Sequence, residues 1–229
     1  TFADEELPER TNFFYRVTAV DSGMNESLPS DSITAWTTLP LLAPWPKSVG
    51  ASVQLYASPV LFDLDGDSAQ EIYVFGKSMA AVWAFYGDGS DVVDSALAPD
   101  IFAVTAGPDS LPSEEGIWGS PAIGDINGDG RFELVVNGRD GSRRLHLIDA
   151  ATGDELPGWP IITTSTSMGT PALADLDGDG QLEIINPTFT NITAYEYDGS
   201  PYIPGSGGVF TSFEEGMSGL LWSSPAIGD

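Results

Sequence analysis

The chain repeats itself. SPVLFDLDGDSAQEIYVFG at 58–76 returns as SPAIGDINGDGRFELVVNG at 120–138 and as TPALADLDGDGQLEIINPT at 170–188, and SPAIGD opens again at Ser224. Successive copies start 62, 50 and 54 residues apart, the spacing of a supersecondary unit whose connecting loops vary in length. Shorter echoes agree. EEGIWGSPAIGD from Glu114 matches EEGMSGLLWSSPAIGD from Glu214, which makes Trp118 and Trp222 equivalent, and APWPKSV at 43–49 resembles PGWPIIT at 157–163. The tryptophans read as packing between neighbouring units.

Within each copy the pattern is β. PAIGD is a short apolar strand, FELVVNG and QEIYVFG are β-branched runs ended by glycine, and RRLHLIDA, AAVWAFYG and ITAYEYDG read as third strands. GDGS, ATGD and YDGS are hairpin-type turns, and no stretch carries a helical period. Three or four antiparallel strands in each of about three units predict an all-β chain forming part of a β-propeller over 39–229. Residues 1–38 differ. NFFYRVTAVDSGMNESLPSDSITAWTTLP resembles the last two strands of a fibronectin type III domain, YRVTAVD being one strand, SDSITAWTT the other and Tyr15 a core tyrosine. A remnant of one domain followed by three blades and the start of a fourth is expected of a piece of a longer protein, with the remaining blades beyond Asp229 or on a partner.

The most chemically specific part of the copy is a nine-position loop. Position one is Asp63, Asp125 and Asp175; position three Asp65, Asn127 and Asp177; position five Asp67, Asp129 and Asp179; position nine Glu71, Glu133 and Glu183. Position seven, Ala69, Arg131 and Gln181, offers a backbone carbonyl. Four side chains and one carbonyl give five to six hard oxygens, which suits calcium; zinc would want nitrogen or sulfur. Glycines at positions four and six allow turns with positive φ, and Ser68 breaks that rule in the first copy. An EF-hand starts with the same letters but needs a glutamate at position twelve, where this chain has Val74, Val136 and Asn186.

A nine-position acidic loop between two strands resembles the FG-GAP or VCBS repeat of integrin α-subunit propellers and many secreted bacterial proteins, over residues 40–229. The resemblance implies structural calcium at two to three sites, each pinning a loop between strands of one blade. Modules of this type bind calcium at about 10⁻⁴ to 10⁻³ M, an extracellular condition, which is the ground for expecting a secreted or cell-surface protein.

Charge and motifs narrow the function. With 34 Asp and Glu against 8 Lys and Arg, the formal charge of −26 disfavours nucleic acid and anionic membrane as partners. There is no cysteine and no apolar run long enough for a membrane span. The one histidine, His146, reads as a packing residue in a strand, and no triad, phosphate loop or dinucleotide fingerprint occurs. The chain is therefore expected to be a non-enzymatic adhesive or structural platform for a protein or glycan, carried on the loop face by insertions such as 90–117 and 200–221, or for further copies of itself. In the second insertion Phe210, Phe213, Met217 and Leu221 read as packing residues. Two alternatives are a polysaccharide lyase resembling rhamnogalacturonan lyases, for which Arg139, Arg143 and Arg144 are the only basic cluster, and a subunit of a surface filament. Asn25 and Asn191 open glycosylation sequons.

Overall fold

The computed structural model describes residues 12–36, 45–50, 53–77, 80–92, 101–105, 116–138, 143–212 and 223–228. The chain divides into two units, Thr1–Pro46 and Lys47–Asp229.

In the first unit β1 (Asn12–Tyr15) pairs antiparallel with β2 (Ile33–Trp36), Asn12 opposite Trp36 and Tyr15 opposite Ile33. The regular ladder stops at Tyr15, although YRVTAVD has strand composition. Serine hydroxyls are the reason: Ser30 Oγ accepts the Val17 N–H at 3.0 Å and Ser27 Oγ accepts that of Ala19 at 2.9 Å, taking donors a ladder would use. Asp21 closes the turn, its Oδ1 accepting from the Gly23 and Asn25 N–H groups at 2.8 and 2.9 Å. Tyr15 is half-buried, its ring 6.4 Å from that of Phe13. Two paired strands make a hairpin rather than a sandwich, and a fibronectin type III fold is not shown among the described residues.

The second unit is three four-stranded antiparallel sheets, each laid down in chain order. Sheet one is β3 (Val60–Phe62), β4 (Glu71–Phe75), β5 (Ala81–Phe85) and β6 (Ala103–Val104). Sheet two is β7 (Ala122–Gly124), β8 (Glu133–Asn137), β9 (Arg144–Asp149) and β10 (Ile161–Ile162). Sheet three is β11 (Ala172–Ala174), β12 (Glu183–Pro187), β13 (Asn191–Tyr195) and β14 (Val209–Ser212). No helix occurs among the described residues, and none is long and apolar enough to cross a membrane.

Sheet two is covered on both faces. Along β8 the side chains alternate, so Leu134 and Val136 join Tyr73, Phe75 and Val82 of sheet one, while Val135 joins Ile184 and Tyr195 of sheet three. That is why Leu134, Val135 and Val136 are all buried and form an unbroken apolar run instead of alternating with polar residues. Burying each such side chain contributes roughly 1.5–3 kcal/mol. Trp159 lies in the second of these clusters, its indole N–H donating to the Tyr197 carbonyl at 2.8 Å, so it packs between sheets two and three; Trp222 lies outside the described residues.

Equivalent residues of successive copies meet. The Ser58 N–H donates to Ser120 Oγ at 2.9 Å and the Thr170 N–H to Ser224 Oγ at 2.9 Å. Just before these residues the chains approach so closely that a Cβ on Gly119 would lie 2.5 Å from the Gly169 carbonyl, so only glycine fits there.

Candidate metal centre

Each acidic loop joins the first strand of a sheet to the second, and each second strand begins with the position-nine glutamate. The loop holds its own shape. Asp63 accepts N–H groups from Gly66 and Ser68, Asp125 from Asp129 and Gly130, and Asp175 from Gly178, Asp179 and Gly180, at 2.6–3.2 Å. The position-five carboxylates of Asp67, Asp129 and Asp179 accept the N–H of Ala69, Arg131 and Gln181 at 2.6, 2.8 and 2.8 Å. These turns require positive φ at positions four and six, which the glycines supply; Ser68 takes the same conformation at φ 72° without glycine's freedom.

The three glutamates are the unusual feature. Glu71, Glu133 and Glu183 are nearly inaccessible to solvent, and one oxygen of each accepts the position-two N–H, from Leu64 at 2.6 Å, Ile126 at 3.0 Å and Leu176 at 2.5 Å. Burial pushes Glu133 up to about 7, against the Ile126 hydrogen bond and with help from the charges of Asp129, Asp125 and Asp149. Burial likewise raises Glu183, with Glu196, Asp177 and Asp175 adding to it. Asp129, fully exposed, is held below the usual carboxylate range by the Asn127 amide and the Arg131 N–H.

The loops differ in how far their acids converge. Oxygens of Asp63, Asp65 and Asp67 lie within 4.8 Å of one another, as do those of Asp175, Asp177 and Glu183. Glu71 and Asp179 stand outside those groups. The second loop forms no such group of acids among the described residues, since Asn127 replaces an aspartate and donates its amide to Asp129 Oδ2 at 3.0 Å. Arg131 turns away to Asp149, 2.6 Å from Nη2 to Oδ2. In the third loop Glu183 Oε1 is buried without a hydrogen-bond partner, beside two further carboxylates and no nitrogen or sulfur ligand. An orphaned buried carboxylate oxygen in an all-oxygen donor set fits a hard divalent cation.

His146 is 2 % exposed in β9 and its Nδ1 lies 3.0 Å from both carboxylate oxygens of Glu155, a packed pair. Arg143 donates to the Thr164 carbonyl at 3.2 Å, and Arg139 is outside the described residues. The Asn191 side chain accepts from the Thr164 and Thr188 hydroxyls while Thr193 is buried, so that sequon is built into the sheet. Phe210 is partly exposed on β14; Phe213, Met217 and Leu221 lie outside the described residues. Sequence reasoning missed Asp149, which pairs with Arg131 and lines a cleft of ≈ 340 Å³ with Glu133, Glu155 and Tyr197, because nothing local marks an acid 18 residues from its partner.

Comparison with known proteins agrees with the loop geometry. The model of the FG-GAP-like repeat matches twice, over residues 63–136 and 125–185, which together span more than half the chain. No curated protein sequence matches. Among solved structures, the crystal structure of the V. cholerae biofilm matrix protein Bap1 aligns over 78% of this chain and 28% of its own length, with a TM-score of 0.48 and 21% identity.

Proposed function

The chain belongs to the FG-GAP-like repeat family, and from that premise we propose that it is a calcium-stabilised, extracellular, non-enzymatic module whose sheets are successive blades of a β-propeller. The observation that carries this is the buried position-nine glutamate, above all Glu183, whose Oε1 lies buried and unpartnered beside Asp175 and Asp177. A buried ionised carboxylate without a cation is strongly disfavoured, so the third loop, with its unpartnered Glu183 oxygen, is incomplete as a purely protein structure. Asp175, Asp177, Asp179 and Glu183 with the Gln181 carbonyl would hold calcium in the third loop. Asp63, Asp65, Asp67 and Glu71 with the Ala69 carbonyl would do so in the first, and Asp125, Asn127, Asp129 and Glu133 with the Arg131 carbonyl in the second. Bound calcium neutralises the clustered acids and joins the end of one strand to the start of the next.

Two features support the propeller. All three sheets are meanders laid down in chain order, and equivalent residues of different copies hydrogen-bond directly, Ser58 with Ser120 and Thr170 with Ser224, an arrangement consistent with blades set around a common axis. A rigid array of this kind serves as an adhesive or structural platform for a protein or glycan, with copies of itself as a further partner. Isothermal titration of the metal-free chain with calcium tests the central point. Two to three sites of about 10⁻⁴ to 10⁻³ M are expected, the third loop among the tighter; a chain that takes up no calcium at millimolar concentrations contradicts the proposal.

A further inference from the structure

At the junction of the first two copies three chain segments bring two aromatic rings and a lysine together. The rings of Tyr56 and Trp118 are 5.2 Å apart at 80°, and Lys77 Nζ lies 4.7 Å from one centroid and 4.8 Å from the other. The same ammonium donates to Gln54 Oε1 at 2.8 Å. The backbone fixes the arrangement. The Lys77 N–H donates to the Gln54 carbonyl at 2.7 Å, the Ile117 N–H donates to that of Gly76 at 3.0 Å, and Gly116 crosses Lys77 so tightly that a Cβ there would sit 1.5 Å from the Lys77 carbonyl oxygen.

The cluster is built but not covered. Trp118 and Lys77 are half-buried and form a wall, whereas Tyr56 is 59 % exposed and Leu55 beside it 47 %. Lys77 and Trp118 both contact the tyrosine ring, which still stays largely open to solvent. An exposed aromatic ring next to a fixed N–H donor has the chemistry of a sugar subsite. The axial C–H groups of a pyranose lie on the ring while its hydroxyls accept from the ammonium, and little side-chain freedom remains to be lost. Charge selects among ligands. At −26 the protein repels polyanions at long range, and a single lysine already shared with Gln54 does not reverse that, which disfavours nucleic acid and polyuronates and leaves neutral sugars.

We propose that Tyr56, Trp118 and Lys77 form a binding site for a neutral pyranose residue of a polysaccharide. This deepens the platform function proposed above and rests on it. The test is calorimetric titration of the whole chain, in calcium, with cellohexaose, laminarihexaose and mannohexaose, and with hexagalacturonate as the anionic probe. At least one neutral hexasaccharide is expected to bind, about tenfold more weakly to Tyr56→Ala and to Lys77→Met, and within about twofold of the parent to Tyr56→Phe, which keeps the ring. Calcium-dependent melting of the same samples is read in parallel, since Tyr56 and Lys77 lie outside the acidic loops. A normal calcium response with no neutral sugar bound, with hexagalacturonate alone bound, or with sugar binding indifferent to Tyr56→Ala overturns this site and leaves the calcium module standing. Loss of the calcium response in the parent chain overturns the module itself.

Discussion

Ser68 and the position-nine glutamates are where single residues decide how a loop behaves. Ser68 occupies at φ 72° a position that the other copies give to glycine, a conformation that disfavours a side chain by roughly 1–2 kcal/mol. Ser68→Gly is therefore expected to stabilise the chain by about 1 kcal/mol after glycine's greater unfolded entropy is counted, read as a higher denaturant midpoint at unchanged slope. Glu183→Gln should act in opposite directions in two conditions. Without metal it removes a buried charge and raises the melting temperature; with calcium it removes a ligand, weakens binding about tenfold and lowers the melting temperature relative to the parent. A glutamine variant that shifts both the same way would show Glu183 to be a packing residue only. Glu133 gives a pH signature. Its folded pKa of about 7 lies above the ordinary 4.5, so the folded state holds this proton to higher pH than the unfolded state does. Its contribution favours folding below about pH 4.5 and is lost as pH rises to about 7. In chelator, melting curves across that window should fall more steeply for the parent than for Glu133→Gln.

Elements were legible where the copies agree and obscure where they do not. Strands β4, β8 and β12 and the acidic loops before them could be read from three aligned sequences, because β-branched runs and spaced acids recur in register. The fourth strands could not. β6 and β10 are two residues long, follow connections of variable length and carry no pattern that separates them from loop. In the hairpin at the N-terminal side, strand composition over 15–21 lost to the hydroxyls of Ser27 and Ser30, which take the backbone donors. The convergence of Asp175, Asp177 and Glu183 was also within reach of the sequence, and so was the lack of such a group of acids in the second loop, where Asn127 stands at the position of Asp65 and Asp177. Sheet packing sets the largest mutational effects. Leu134, fully buried between sheets one and two, should destabilise by about 2–5 kcal/mol as Leu134→Ala, checked by denaturant unfolding in saturating calcium.

For the whole molecule the governing quantity is a charge of −26 on 229 residues, which opposes compaction by self-repulsion. Salt screens such repulsion among exposed charges, but only a bound ion reaches a buried carboxylate such as Glu183. Ligand linkage makes the two separable, since each site adds about 2.7 kcal/mol when calcium stands at a hundred times its dissociation constant. The most direct measurement is thermal unfolding of the metal-free chain titrated with calcium, and with magnesium at matched ionic strength. A saturable rise in melting temperature with calcium, well above that with magnesium and reversed by chelator, is the predicted result. Equal responses to the two ions, or none to either, would contradict a calcium centre in the acidic loops.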